Sequence, residues 1–124
     1  MAMGLSAKRK KTRLYALARP HATSGATDIA AAYIGRMTAA LDTFPIARKW
    51  PARHPDRLQL YSLATPNGVK ASIMLEETGL PYEAHRVDFG SNDQTSPEFL
   101  SLNPNNKIPA ILDPNGPGGQ PLAL

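Results

Sequence analysis

The chain has 124 residues, 42% hydrophobic and 19% charged, which bounds it at one globular domain. It contains no cysteine, so a structural disulfide, a thiolate metal site and a cysteine nucleophile are excluded, and any thiol chemistry has to use a ligand's sulfur. Residues 1–57 carry 11 Lys/Arg against 3 Asp, net +8, and residues 58–124 carry 3 Lys/Arg against 7 Asp/Glu, net −4, so the basic character belongs to the N-terminal half and is no argument for nucleic-acid binding by the rest.

Residues 1–27 include Lys8, Arg9, Lys10, Lys11, Arg13 and Arg19 and no acid. Three readings are open: a nucleic-acid-binding arm working through phosphate contacts, an organelle-targeting peptide, or a disordered stretch without a role. The last is favoured, because a short Lys/Arg run is a motif of low specificity. Residues 27–41 have helical spacing, with Ala30, Tyr33, Ile34, Met37 and Leu41 on one side and Thr27 and Asp28 as capping residues. Gly35 weakens that helix by about 1 kcal/mol. Pro45, Pro51 and Pro55 predict an extended arm over 44–57. Phe44, Ile46 and Trp50 either pin this arm to a neighbouring surface or leave it a loose linker. No apolar run reaches the ~20 residues of a membrane-spanning helix.

From Leu58 the pattern changes. LQLYSLA reads as a strand buried on both faces, and TPNG (65–68) as a turn. VKASIMLEETG is a helix stopped by Gly79. Its apolar residues form two rows, Ala71, Met74 and Leu75 with Thr78, and Val69, Ile73 and Leu80, so the helix needs two partners, of which a sheet is one. YEAHRVDF (82–89) is a second strand, and after a loop Ser96 caps a short helix that opens at Pro97. KIPAILD is a third strand interrupted by Pro109, NGPGG (115–119) a turn, and PLAL the start of a fourth strand. The order β-α-β-α-β-β demands a parallel first pair with a right-handed crossover and an antiparallel last pair.

Two places carry candidate chemistry. Thr65-Pro66-Asn67-Gly68 hands a strand over to a helix N-terminus, where free N–H groups and the helix dipole favour an anion. A hydroxyl and an amide there suit a thiolate, at ~1.4 kcal/mol per unit of lowered pKa; equally, Thr65 and Asn67 serve as plain helix caps. In Asn105-Asn106-Lys107-Ile108-Pro109-Ala110-Ile111, a cis Ile108–Pro109 bond offers the backbone of Ile108 to a peptide-like ligand, whereas a trans bond makes Pro109 an edge-strand residue. Val87-Asp88-Phe89-Gly90 spells the letters of a kinase metal motif without that family's other parts. His21, His54 and His85 lack metal-ligand spacing, and no metal is expected.

The stretch YSLATPNGVKASIMLEETGLPYEAHRVDFG…PEFLSLNPNNKIPAILD is similar to the thioredoxin-like N-terminal domain of glutathione transferases. It resembles most the bacterial Nu-class members of disulfide-reductase type and their fungal prion-like regulatory relatives. TPNG followed about forty residues later by NPNNKIPAI is the specific part of the likeness, which covers residues 58–124. The resemblance implies an α/β, thioredoxin-like fold (βαβ-α-ββ) and a C-terminal helical domain as second partner of the two-sided helix. It implies catalytic roles for Thr65 and Asn67 beside the glutathione sulfur, in place of the tyrosine, serine or cysteine of other groups. It also implies glutathione contacts from Gln94, from Lys107 near the glycine end and from the backbone of Ile108 at the cysteinyl unit, with Pro109 as the conformational cis-proline. Tyr61 and Ser62 lie on the strand before the turn and are read as packing.

Glutathione or glutathione disulfide is the implied ligand, as substrate or cosubstrate, a homodimer the implied full-length assembly, and the cytoplasm the implied location, with neither membrane nor nucleic acid as a partner. The family's acidic-or-amide residue followed by Ser, which holds the γ-glutamyl end, falls beyond Leu124. The expected organisation is therefore a basic, largely irregular extension with a possible helix over 1–57, then an incomplete domain over 58–124. That domain is the glutathione-binding half of a transferase, performing disulfide reduction or conjugation in the full-length protein. A non-catalytic thioredoxin-like regulatory module, or an inactive fragment, is the alternative. Weak or no glutathione binding and marginal folding are expected of the chain as it stands.

Overall fold

The computed structural model describes residues 26–124, so the Lys/Arg run over residues 8–19 and His21 lie outside the described residues. Helix α1 covers Ala26–Asp42 and α2 covers Ile46–Lys49; then follow β1 (Leu58–Ser62), α3 (Pro66–Thr78), β2 (Tyr82–Arg86), α4 (Pro97–Leu102), β3 (Ala110–Asp113) and β4 (Leu122–Ala123). From β1 onward this is the order that the patterning requires. The sheet order is β2-β1-β3-β4. β1 runs parallel to β2, with Leu58 opposite Tyr82 and Ser62 opposite Arg86. It runs antiparallel to β3, with Tyr61 opposite Ala110, and β4 adds antiparallel to β3. A parallel pair needs a long crossover, which α3 supplies, whereas the Gly-rich turn suffices between β3 and β4.

Strand alternation sorts the sheet residues onto two faces. Gln59, Tyr61, Glu83, His85, Ala110 and Leu112 share one face. There lies the main core, built from Leu41, Ile46, Tyr61, Val87, Phe99, Ala110 and Leu112, with Phe44, Trp50, Ala52, Leu102 and Ile108 packed against it. The Trp50 ring meets Tyr61 edge-on at 5.9 Å and Phe99 at 6.4 Å, contacts that stabilise by about 0.5–1.5 kcal/mol each beyond burial. Its Nε1–H donates to the Arg86 carbonyl at 3.0 Å. Phe44, Ile46 and Trp50 thus pin this segment to the sheet, and the loose-linker alternative falls. The segment is not extended throughout, however, because Ile46–Lys49 forms a helical turn. Pro45 enters that turn at little cost, since a first-turn N–H has no intrahelical acceptor to lose.

In α1, Met37 and Leu41 are 3% and 2% exposed, whereas Tyr33 and Ile34 of the expected stripe are exposed. The helix already includes Ala26, which places Thr27 and Asp28 inside its first turn instead of ahead of it.

The opposite face of β1 presents Leu60, and Leu60 and Leu75 of α3 are both buried outside the main cluster. Of the two apolar rows of α3, each expected to find a partner, Leu75 is buried, whereas Met74 of the same row and Val69 and Ile73 of the other are exposed. A Cβ at Gly68 would collide with the Leu63 carbonyl oxygen and stand 2.5 Å from Ser62 Oγ. Glycine is therefore what lets α3 begin so close to the end of β1. The helix stops where Gly79 adopts φ 68 and its N–H turns back to the Glu76 carbonyl. β2 ends at Arg86, earlier than expected: the Val87 N–H still bonds the Ser62 carbonyl, but Asp88 then turns the chain by accepting the Gly90 N–H. β3 begins at Ala110, after the proline that lacks a ladder donor.

Candidate functional site

The C-terminal ends of β1 and β2 and the N-terminal end of β3 lie at the same end of the sheet. Loops from all three converge there on one open groove of about 330 Å³, lined by Thr65, Asn67, Phe89, Gln94, Asn106, Lys107 and Ile108. Five of the six residues singled out in the sequence are thereby brought together. The sixth, Pro109, is not part of the lining; it follows Ile108 through a peptide bond that is cis.

Thr65 is the N-cap of α3, and its Oγ1 accepts the Gly68 N–H at 3.2 Å. A hydroxyl has one proton and two lone pairs, so capping consumes an acceptor and leaves the O–H free to donate. The capping and thiolate-binding readings of Thr65 are therefore compatible. Asn67 occupies the second helical position, where its N–H has no acceptor within the helix. Its Oδ1 lies 3.4 Å from Lys70 Nζ, which leaves the side-chain NH₂ as a donor. Both residues sit at the positive end of a 13-residue helix.

Across the groove, Gln94 Oε1 is buried and without a hydrogen-bond partner. An unpaired buried amide oxygen costs about 1–3 kcal/mol, which a ligand N–H would offset. Lys107 is exposed, and its ammonium makes no ion pair among the described residues. Its carbonyl accepts Asn103 Nδ2–H at 2.7 Å, which holds the strand approach in place. The N–H and C=O of Ile108 make no backbone hydrogen bond among the described residues. Hydroxyl, carboxamide, ammonium and main-chain groups with no lining carboxylate suit an anionic, peptide-like ligand. Among the described residues no group of His, Cys, Asp and Glu side chains could hold a metal ion, and no helix is long and apolar enough to cross a membrane.

Sequence reasoning missed Phe89 and Asn106 as lining residues. Phe89 is a large aromatic, 41% exposed, in a loop of small polar residues, a signal that was readable. Asn106 has φ 50, a left-handed conformation in which Asn is several-fold enriched, and it sits inside the NPNN run. Tyr61 and Ser62 lie outside the groove. Tyr61 is 1% exposed and stacks on His85 at 4.8 Å; burial, and then the Glu83 charge, push its hydroxyl pKa far above the ordinary value. Ser62 lines a separate cavity on the α3 side of the sheet.

A parallel β1–β2 pair bridged by α3, an antiparallel β3 entered through a cis-proline and a helix N-terminus at the groove together define a thioredoxin-like domain. Residues 56–123, more than half of the chain, match the glutathione S-transferase N-terminal domain. The chain belongs to the glutathione S-transferase family. It is 50% identical over 68 residues to the disulfide-bond oxidoreductase YfcG of Escherichia coli, covering 54% of this chain and 32% of that protein. A glutathione transferase from Pseudomonas putida, with one glutathione disulfide bound per subunit, superposes with TM-score 0.67 at 77% identity over 68% of this chain and 36% of that one. Another from Burkholderia graminis, with two glutathione molecules bound per subunit, gives 0.68 at 74% identity over 70% and 36%. The chain thus spans about a third of the length of these relatives. The share of this chain covered by the two structures exceeds the domain match, and only Leu124 follows residue 123, so the likeness extends ahead of residue 56.

Proposed function

We propose that this chain carries the glutathione-binding part of a glutathione-dependent disulfide reductase. The observation that carries the reading is the single groove in which Thr65 and Asn67, at a helix N-terminus, face Gln94, Lys107 and Ile108. In this reading the Ile108 main chain pairs with the cysteinyl unit of glutathione, Pro109 sets the conformation of that backbone, and Lys107 meets the glycine carboxylate. Gln94 accepts a ligand N–H, and the Thr65 O–H and Asn67 amide donate to the sulfur. Donors and the helix dipole favour thiolate over thiol.

The chain has no cysteine, so the nucleophile is the ligand's own sulfur. Bound glutathione thiolate attacks one sulfur of a substrate disulfide, the S–S bond breaks, and the departing half takes a proton and leaves as a thiol. A second glutathione thiolate resolves the mixed disulfide, releasing the other thiol and glutathione disulfide. Disulfide reduction is favoured over conjugation because one relative is a disulfide-bond oxidoreductase and others hold glutathione disulfide or two glutathiones. A homodimeric, cytoplasmic protein working from the glutathione pool fits the same reading.

NMR titration of the ¹⁵N-labelled chain with glutathione and glutathione disulfide, into the millimolar range, tests it. Expected are shifts confined to Thr65–Gly68, Phe89, Gln94 and Asn106–Ile108, reduced by Asn67→Ala. Shifts absent from these residues would overturn the proposal.

A further inference from the structure

The loop that carries Gln94 is closed by Asp93. The Asp93 N–H donates to the Asp88 carbonyl at 3.0 Å, and Asp93 Oδ2 accepts the Asp88 N–H at 2.8 Å. The Asp93 carbonyl accepts Ser96 Oγ–H at 2.7 Å, so the start of α4 hangs on the same residue. The second carboxylate oxygen, Oδ1, takes Lys49 Nζ at 2.7 Å, and Asp93 is 8% exposed. Lys49 is the last residue of α2, and its ammonium stands 5.1 Å from the centre of the Trp50 ring, itself packed against the core. Gln94, with its buried and unpartnered Oε1, follows Asp93 directly.

We propose that Lys49 is a positioning residue for the groove, fixing through Asp93 the loop that presents the Gln94 carboxamide to a glutathione-class ligand. The proposal rests on the glutathione reading above. The pair also stabilises, because Asp93 is buried and its charge needs a partner; Trp50 against Phe99 joins the two segments independently. What the pair fixes is the residue directly before Gln94, which lines the groove. A hydrogen bond from Lys49 is the largest influence holding the Asp93 carboxyl below its ordinary pKa, so the charge persists at neutral pH. Lys49 precedes the 56–123 domain match, so a segment ahead of the domain tunes the domain's site.

The test is an NMR titration with glutathione disulfide on the ¹⁵N-labelled parent chain, Lys49→Met and Lys49→Arg. Methionine keeps an apolar stem against Trp50 and removes the charge. Expected for Lys49→Met is an affinity weakened roughly 5- to 10-fold, the loss of about one hydrogen bond. The Gln94 side-chain amide should also become mobile, while Lys49→Arg stays at the parent level in both respects. Binding within about twofold of the parent, with the Gln94 amide unchanged, would overturn the proposal. If the parent itself does not bind, the glutathione reading falls, and the Gln94 amide alone decides: mobility gained in Lys49→Met supports positioning, and unchanged order refutes it. Asp93→Asn, which keeps an acceptor for the Asp88 N–H and drops the charge, must reproduce Lys49→Met, and a parent-like result would also refute positioning.

Discussion

Replacing Gln59 by leucine exposes what ties residues 53–57 to the sheet. Gln59 is 0% exposed. Its Nε2 donates to the His54 and Arg57 carbonyls, each at 2.9 Å, which leaves Oε1 to face His85 Nε2 at 2.8 Å. Two carbonyls fix which end of the carboxamide is nitrogen, so His85 must carry its proton on Nε2. Leucine preserves the volume but strands the Arg57 carbonyl and one imidazole N–H, while the His54 carbonyl keeps the Arg57 N–H at 3.1 Å. A stranded buried polar group costs about 1–3 kcal/mol. That carbonyl belongs to a segment that water reaches in part, which places it at the low end, and the sum is about 2–4 kcal/mol. That is a large share of the roughly 5–15 kcal/mol that holds a typical domain. Trp50 is the sole tryptophan and sits against Tyr61, so its fluorescence in a urea titration reports the loss directly. Amide exchange at residues 54–57 should accelerate in parallel. A Gln59→Leu chain within about 0.5 kcal/mol of the parent, the range of a neutral surface change, would refute the clamp.

Gly68→Ala drives a methyl into the Leu63 carbonyl and Ser62 Oγ, so the start of α3 must shift. The expected loss is about 1–3 kcal/mol in a urea melt, with altered NMR shifts at Thr65 and Asn67; unchanged stability would show that the turn has room. The pH dependence has a definite sign. Burial above all, opposed by the Glu83 charge and aided by Arg53, holds His85 below its ordinary 6.5. For Glu83, burial alone would raise the pKa, but the Arg53 and His54 N–H groups and the nearby histidines together bring it below 4.5. In both windows the unfolded chain binds more protons, so stability is complete above about pH 6.5 and falls with acidification, first through His85 and then, below about 4.5, through Glu83. Thermal melts should show this slope, with its upper part flattened by His85→Gln, and a stability that rises on acidification would contradict it.

The order of elements from β1 to β4 was legible because each boundary has a local chemical token. These are TPNG before α3, Gly79 after it, Ser96-Pro97 before α4 and NGPGG before β4. The groove was legible at Thr65, Asn67 and Ile108, since a helix N-terminus and an Ile-Pro step declare themselves in one dimension, whereas Gln94 and Lys107 came from the family resemblance alone. Gln59 was not legible, because LQLYS reads as an apolar strand with a polar gap. Its partners are two main-chain carbonyls, which no side-chain pattern encodes, and a histidine 26 positions away. The Lys49–Asp93 pair is hidden for the same reason, being a contact between segments 44 positions apart. The helical turn Ile46–Lys49 was obscured by weighing Pro45 as a breaker when, at a helix entrance, it is tolerated.

These contacts settle why the folded region begins well before the domain match. The core-facing side of the sheet needs cover over β1 and β2 as well as over β3. Helix α4 has six residues, and Phe99 and Leu102 are its contribution to the core. The cover at Tyr61 is the Trp50 ring, whose indole N–H also ties down the Arg86 carbonyl at the end of β2. The Glu83 carboxylate then accepts the Arg53 and His54 N–H groups at 2.7–3.0 Å, so residues 53–54 close over the same strand. A segment rich in proline suits this role. It offers few N–H groups of its own to satisfy, and those of Trp50, Arg53 and His54 are met by Ile46 and Glu83. The same segment delivers Lys49 to the Gln94 loop, so cover for the sheet and support for the groove are one structural element.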